Sequence, residues 1–389
     1  MHIHIRHVTW TAALLSVCLA LTACKTAAPP PPDEIAAVPV AGASAGSVQE
    51  NGYVVVPTWY GTDRKAADPA TFSSALTEAQ KASMVFGGMR GSGAIQFGVA
   101  RVSIPDDHKP GEMEGARFWE RENPQKHIVL LNLGSMAVGD WTADIRQKLS
   151  AHNSVLIYVH GYNVDFRDAA RRCAQMAFDL GFEGVPMFFS WPSLATTTAY
   201  PVDEATVEWS VPHLVTFLET AIKQTGAENV FIVAHSMGAR AVARALERLQ
   251  SDPVIVAKVK AAIFAAPDID DGVFVNQIVG EIGDNFPITL YASAEDEAVR
   301  ASRFLHYYPR SGGAISDISL TGETKITAID ASNVATDFLG HSYYASTKPL
   351  LGDIQQIMLG IPPESRTNIR RAAPHGGSPS AYWQFIPAD

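Results

Sequence analysis

The sequence predicts an α/β fold: a mostly parallel central sheet with helices on both faces. Three observations carry this. Apolar runs of strand length without alternation mark strands buried on both faces. Stripes of apolar residues three or four apart lie between them. From residue 154 onward the two succeed one another regularly. The 389 residues are 47% hydrophobic and 18% charged, enough for a large core and against wholesale disorder. A net charge of -10 without basic runs argues against a nucleic-acid partner, and three cysteines are too few for a disulfide scaffold.

Residues 1–23 read as a signal segment. Arg6 and three histidines form a polar front, and the apolar run from Val8 to Ala20 is too short for a good membrane span. The run ends in Leu21-Thr22-Ala23-Cys24, which is similar to a bacterial lipobox. That resemblance implies lipidation of Cys24 and a membrane partner through the anchor; the alternative is an ordinary signal peptide with an incidental cysteine. Lys25 is not the aspartate that retains lipoproteins at the inner membrane, so the expected location is the outer membrane, facing the periplasm. Residues 24–50, with Pro29 to Pro32, read as an extended Pro/Ala-rich tether.

The expected folded domain spans 51–360. Its first part, 51–150, carries early strands at Tyr53 to Val56, Ile95 to Ile104 and Ile128 to Leu133, some of them antiparallel, with 73–94 as a loop holding a short helix. In the second part, 151–360, Val155 to Val159 is a buried strand. The stripe Phe166, Ala170, Cys173, Ala177 and Leu180 marks a helix capped by Asp165 and ended by Gly181, with Cys173 in the core. Met187 to Phe189 is a strand. A helix through Val207 and Ile222 is kinked or started near Pro212. Strands follow at Val230 to Val233, Ala262 to Ala265, Ile288 to Tyr291 and, last, Lys325 to Ile329, with a helix over Ala241, Ala245 and Leu249. Residues 361–389 read as a tail.

Ala234-His235-Ser236-Met237-Gly238 follows a strand directly and opens a helix directly. That is the setting of a nucleophile elbow, in which small residues two before and two after the serine let strand and helix backbones approach. Unpaired N–H groups at the helix start favour negative charge beside Ser236. An acyl-transfer serine also needs oxyanion donors. The Met237 N–H is one, and the Tyr162 N–H, in the turn His160-Gly161-Tyr162-Asn163 after strand 155–159, is the other. His160 precedes the serine and reads as structural.

In the order serine, acid, histidine, the base comes from His306, His341 or His375. His341, after the last strand, is the choice; His306 falls in a helix and His375 in the tail. Asp296, after strand 288–291, is the favoured acid, and Asp268 is the alternative, with Asp270 beside it. Asp268 to Gly272 lacks the closing glutamate of a calcium loop. No zinc cluster, GxGxxG fingerprint or P-loop appears, so neither a metal nor a cofactor is expected.

With these residues in place, 51–360 resembles a bacterial α/β-hydrolase family of unknown function grouped with esterases and lipases. The landmarks are Tyr60 to Arg64, Val102 to Pro105, Val159 to Asn163, Phe189 to Pro192, Ala234 to Gly238, Ala266 to Asp270 and Gly340 to Tyr344. The resemblance implies the α/β-hydrolase fold and Ser236, Asp296 and His341 as a catalytic triad. The expectation is a serine hydrolase of carboxylic esters, small or lipid. A peptidase, thioesterase or lactonase of the same fold, and an inert envelope-anchored scaffold, are the alternatives. Residues 191–212, with Trp191, Tyr200 and Trp209, are expected either to wall an acyl pocket or to pack in the core.

Overall fold

The computed structural model describes residues 44–117, 119–149, 153–313, 326–334, 348–372 and 382–386. The contacts divide the chain at residue 37, and the unit beginning at Val38 holds all the architecture below. Cys24, the expected signal segment and most of the expected tether lie outside the described residues, as do His341 and His375. Among the described residues no helix is long and apolar enough to cross a membrane.

The strands in chain order are β1 Val48–Glu50, β2 Tyr53–Thr62, β3 Arg64–Ala66, β4 Phe86–Arg90, β5 Gln96–Pro105, β6 Val129–Met136, β7 Ser154–Val159, β8 Val185–Ser190, β9 Asn229–His235, β10 Val259–Ala265, β11 Ile288–Ala292, β12 Ile326–Asp330, β13 Ile369–Ala372 and β14 Tyr382–Phe385. The helices are α1 Glu78–Met84, α2 Val138–Lys148, α3 Phe166–Asp179, α4 Tyr200–Gln224, α5 Met237–Leu249, α6 Pro253–Lys258, α7 Asp271–Val273, α8 Gly280–Ile282, α9 Glu297–His306 and α10 Lys348–Met358, with a π-helical stretch at Phe274–Val279 between α7 and α8.

One sheet runs β13-β14-β12-β11-β10-β9-β7-β8-β2-β5-β6, with β1 against β2. Its neighbours are parallel from β2 to β14, and β5, β6, β1 and β13 join antiparallel. β3 and β4 form a separate hairpin. The continuous apolar runs are explained by two cores. Val155, Ile157 and Val159 face one, with α2, α4 and α5, while Leu156 and Tyr158 face the other, with α3 and α10. Asp165 caps α3, accepting from the Asp168 N–H at 2.7 Å, and Gly181 follows with φ 57°. Cys173 is buried, its thiol donating to the Met187 carbonyl at 3.3 Å.

Several expectations are corrected. The end of the supposed tether belongs to the fold: Ser44 and Ser47 are buried and β1 pairs with β2. The strand at 288–291 and the one at 325–329 are present, but the latter is not the last. β13 and β14, from the supposed tail, extend the sheet beyond β12. Residues 73–94 contain β4 as well as the short helix. α4 begins well before Pro212 and runs through it, because Val207, Val211, Leu214 and Leu218 bury one continuous face that offsets the single lost backbone bond. α2 was not expected at all. Its N-cap is Ala137, which offers no side-chain hydrogen bond, so nothing local marks its start.

Candidate active site

β9 and α5 meet at Ser236, which adopts φ 49° and ψ −122°. This is a strained backbone for a residue with a side chain, held where surrounding contacts over-determine it. The Ser236 N–H donates to the Ala265 carbonyl at 3.0 Å, and the Ser236 carbonyl accepts from the Asp268 N–H at 3.1 Å. Ala234, His235, Met237, Gly238 and Ala239 around it are all buried, while Ser236 itself reaches partial exposure. The small residues sit where backbones approach closely. Ala234 lies between Val159 of β7 and Phe264 of β10, and a Cβ on Gly238 would run into the His160 carbonyl.

The turn after β7 lies against the serine. A Cβ on Gly161 would stand 2.9 Å from the Ser236 Cβ and 2.8 Å from His235 Nδ1. Among the described residues, neither the Tyr162 nor the Met237 N–H is spent in a backbone hydrogen bond. The Tyr162 hydroxyl donates to the Thr196 carbonyl at 3.2 Å and also to that of Thr197, and its ring meets Tyr200 edge-on at 5.2 Å. The turn is thereby tied to the start of α4.

His160 is fully buried and stacked on Trp191, 5.0 Å between ring centroids. Its Nδ1 faces the Gly161 carbonyl at 2.8 Å and therefore carries the hydrogen, leaving Nε2 to accept from Arg64 Nη2 at 3.3 Å and Ser190 Oγ at 3.2 Å. Burial first, then the Arg64 charge, pushes its pKa well below the usual histidine value. Ser190, His160 and Asp203 are neighbours, but they do not form a relay. Asp203 accepts from Ser193 Oγ at 2.6 Å and from the Leu194 N–H at 2.9 Å, and Ser190 is fully buried. Trp191 packs in the core; Tyr200 stays partly exposed, and Trp209 meets the Arg90 guanidinium at 5.2 Å.

The residue that sequence reasoning left without a role is Arg64. It is fully buried, and its guanidinium donates to Ser190 Oγ (2.8 Å) and to the carbonyls of Gly87 (3.1 Å), Ser193 (3.0 Å) and Val164 (2.9 Å). One cation thus joins the β3–β4 hairpin, the end of β8 and the turn that carries Tyr162. Burial lowers its pKa to about 10, which leaves it charged at neutral pH. Its only signal was membership of the Tyr60 to Arg64 landmark.

The two candidate acids differ in their engagement. Asp268 is buried, accepts from the Tyr200 hydroxyl and from Ser302 Oγ at 2.6 Å, and is ion-paired with Arg310 Nε at 3.3 Å. Asp296 follows β11 and caps α9, its Oδ1 accepting from the Val299 N–H at 2.9 Å. His341 lies outside the described residues. Among the described residues no group of three or more His, Cys, Asp or Glu is placed to hold a metal.

A largely parallel sheet between two helical layers, with a serine on a strained strand-to-helix turn after a central strand, defines the α/β-hydrolase class. Residues 139–360 match the family described as "Alpha/beta hydrolase of unknown function (DUF900)", and the chain belongs to it. Among solved structures it is similar to an inhibited esterase B from Lactobacillus rhamnosis, at 8% identity and a TM-score of 0.33, covering 78% of this chain and 87% of that one. No curated protein matches.

Proposed function

We propose that this hydrolase cleaves carboxylic esters through Ser236, His341 and Asp296. Ser236 Oγ attacks the ester carbonyl while His341 takes its proton. The N–H groups of Tyr162 and Met237 hold the oxyanion. The alcohol leaves with the proton from His341, and water then releases the acid from the acyl-enzyme. Asp296 orients the imidazole and stabilises its charged form. The observation that carries this reading is the strained, partly exposed Ser236 with Gly161 pressed against it and the Tyr162 and Met237 N–H groups, which make no backbone hydrogen bond among the described residues.

The test uses the chain beginning at Lys25, assayed with p-nitrophenyl esters of increasing acyl length beside Ser236→Ala. Turnover lost in the variant, together with fluorophosphonate labelling of the wild type at Ser236, supports a serine esterase. A folded wild type that neither turns over nor labels overturns the reading. The companion proposal is lipidation at Cys24 and an outer-membrane location facing the periplasm. Incorporation of labelled palmitate into the full chain, abolished by Cys24→Ser, supports it; equal incorporation or none overturns it.

A further inference from the structure

A cavity of about 380 Å³ opens between the start of α4, α5, the segment from Ile269 through Ile278, and the end of α9. That is within the range of small-molecule sites. Its apolar wall is Ile269, Val273, Ile278 and Tyr308. Two hydrogen bonds in series, one from a side chain and one within the backbone, run from its wall to the nucleophile. Arg240, on its wall, donates from Nη2 to the Asp268 carbonyl at 3.2 Å, and the Asp268 N–H donates to the Ser236 carbonyl at 3.1 Å.

Arg310 also lines this cavity and is 4% exposed. A guanidinium has five N–H donors. Here only Nε is used, towards Ser302 Oγ at 3.0 Å and Asp268 Oδ1 at 3.3 Å. Nη2 is buried with no partner, and among the described residues Nη1 donates to nothing. The side chain is held in place from its backbone: Asp271 N–H donates to the Pro309 carbonyl and Ser311 N–H to the Ile269 carbonyl, both at 3.0 Å. Of the other charged groups lining the cavity, Glu208 is exposed and the rest are engaged. Arg240 and His306 meet Glu204 at 2.8 and 3.3 Å, Arg244 meets Glu247 at 3.0 Å, and Asp270 Oδ1 accepts from the Val273 N–H at 3.1 Å. Asp268 balances the charge of Arg310 but leaves its planar donor edge empty. A carboxylate satisfies such an edge with two parallel hydrogen bonds.

We propose that this cavity is a subsite for a carboxylate borne by the substrate, gripped by Arg310 with the apolar wall around the connecting chain. The proposal rests on the ester-hydrolase reading and names its substrate class: esters that carry a free acid. The experiment compares kcat/KM of the full chain for the p-nitrophenyl hemiester of glutarate with that for p-nitrophenyl pentanoate. The expected ratio is tenfold or more in favour of the hemiester, about what one charge-assisted hydrogen bond supplies. Arg310→Gln should collapse it. Val273→Trp, which fills the cavity and leaves the Arg310–Asp268 pair intact, should collapse it too. A wild-type ratio near one, or a ratio that survives both variants, overturns the proposal. If neither ester is turned over, calorimetric titration with glutarate decides. Binding lost in both variants keeps the site while the ester reading falls; no binding to the folded protein removes the site.

Discussion

Gly161 and Ser236 are packed so closely that a single added methyl at 161 would stand 2.9 Å from the Ser236 Cβ. The turn after β7 and the turn at Ser236 are therefore packed without a gap. Gly161→Ala should displace the Tyr162 N–H and cost on the order of 10²-fold in kcat, comparable to loss of one oxyanion donor. The accompanying loss of stability should be about 1–3 kcal/mol. Ester turnover measured beside a thermal melt checks this. A variant as active as wild type would separate the turn from the chemistry.

The two aspartates should part in their kinetics. Asp296→Asn should leave the fold intact and lower kcat by roughly 10³–10⁴-fold, as loss of the orienting acid does in triad enzymes. Asp268→Asn should act mainly on stability, because Tyr200, Ser302 and Arg310 all converge on that carboxylate. Paired denaturation and turnover curves for both variants check the assignment; the opposite pattern would move the acid to Asp268.

Arg64→Met should destabilise the protein by about 3–5 kcal/mol, since it strips partners from buried carbonyls and removes the counter-charge to neighbouring carboxylates. Urea unfolding should show a lower midpoint with an unchanged slope.

His108 ties the loop after β5 to the end of α3. Its Nδ1 meets Glu114 and its Nε2 meets Asp179, both at 2.8 Å. Burial lowers its pKa, but the hydrogen bonds and charges of Asp179 and Glu114 outweigh this and raise it to about 9. A raised histidine contributes stability that is fully present below its unfolded pKa near 6.5 and is lost as pH rises through about 9. Glu114 is shifted down: burial opposes that, and the His108 contacts prevail, so its share is lost at acid pH. Stability measured from pH 6 to 10 should fall by up to about 3 kcal/mol in wild type. His108→Gln should flatten that limb.

Cys173 should be silent to thiol reagents. Burial pushes its pKa far above the usual thiol range, and the side chain has no exposure. In the chain beginning at Lys25 it is the only thiol. Ellman's reagent should react only after denaturant unfolds the protein; rapid reaction of the native protein would contradict the buried placement.

The strands that build the middle of the sheet were legible because each is an unbroken apolar run, and α3 because Asp165 and Gly181 bracket its stripe. β13 and β14 were not. They are four residues each and lie at the sheet's end, beside β12. Strands that short carry little periodicity of their own, and only pairing defines them. β1 was absorbed into the Pro-rich stretch before it for the same reason.

By itself the sequence determined the strand-to-helix turn at Ser236. Ala234 and Gly238 bracket Ser236 between a strand pattern and a helix pattern, and a turn with its flanking small residues is local information. What only the tertiary structure decided is which polar groups are spent and which remain open. Arg64 finds Val164 and Ser190 100 and 126 residues away. Arg310 meets Asp268 and, among the described residues, leaves its buried Nη2 without a partner. Burial and hydrogen-bond satisfaction are set by segments that meet only after the sheet has formed, so no window of sequence contains them.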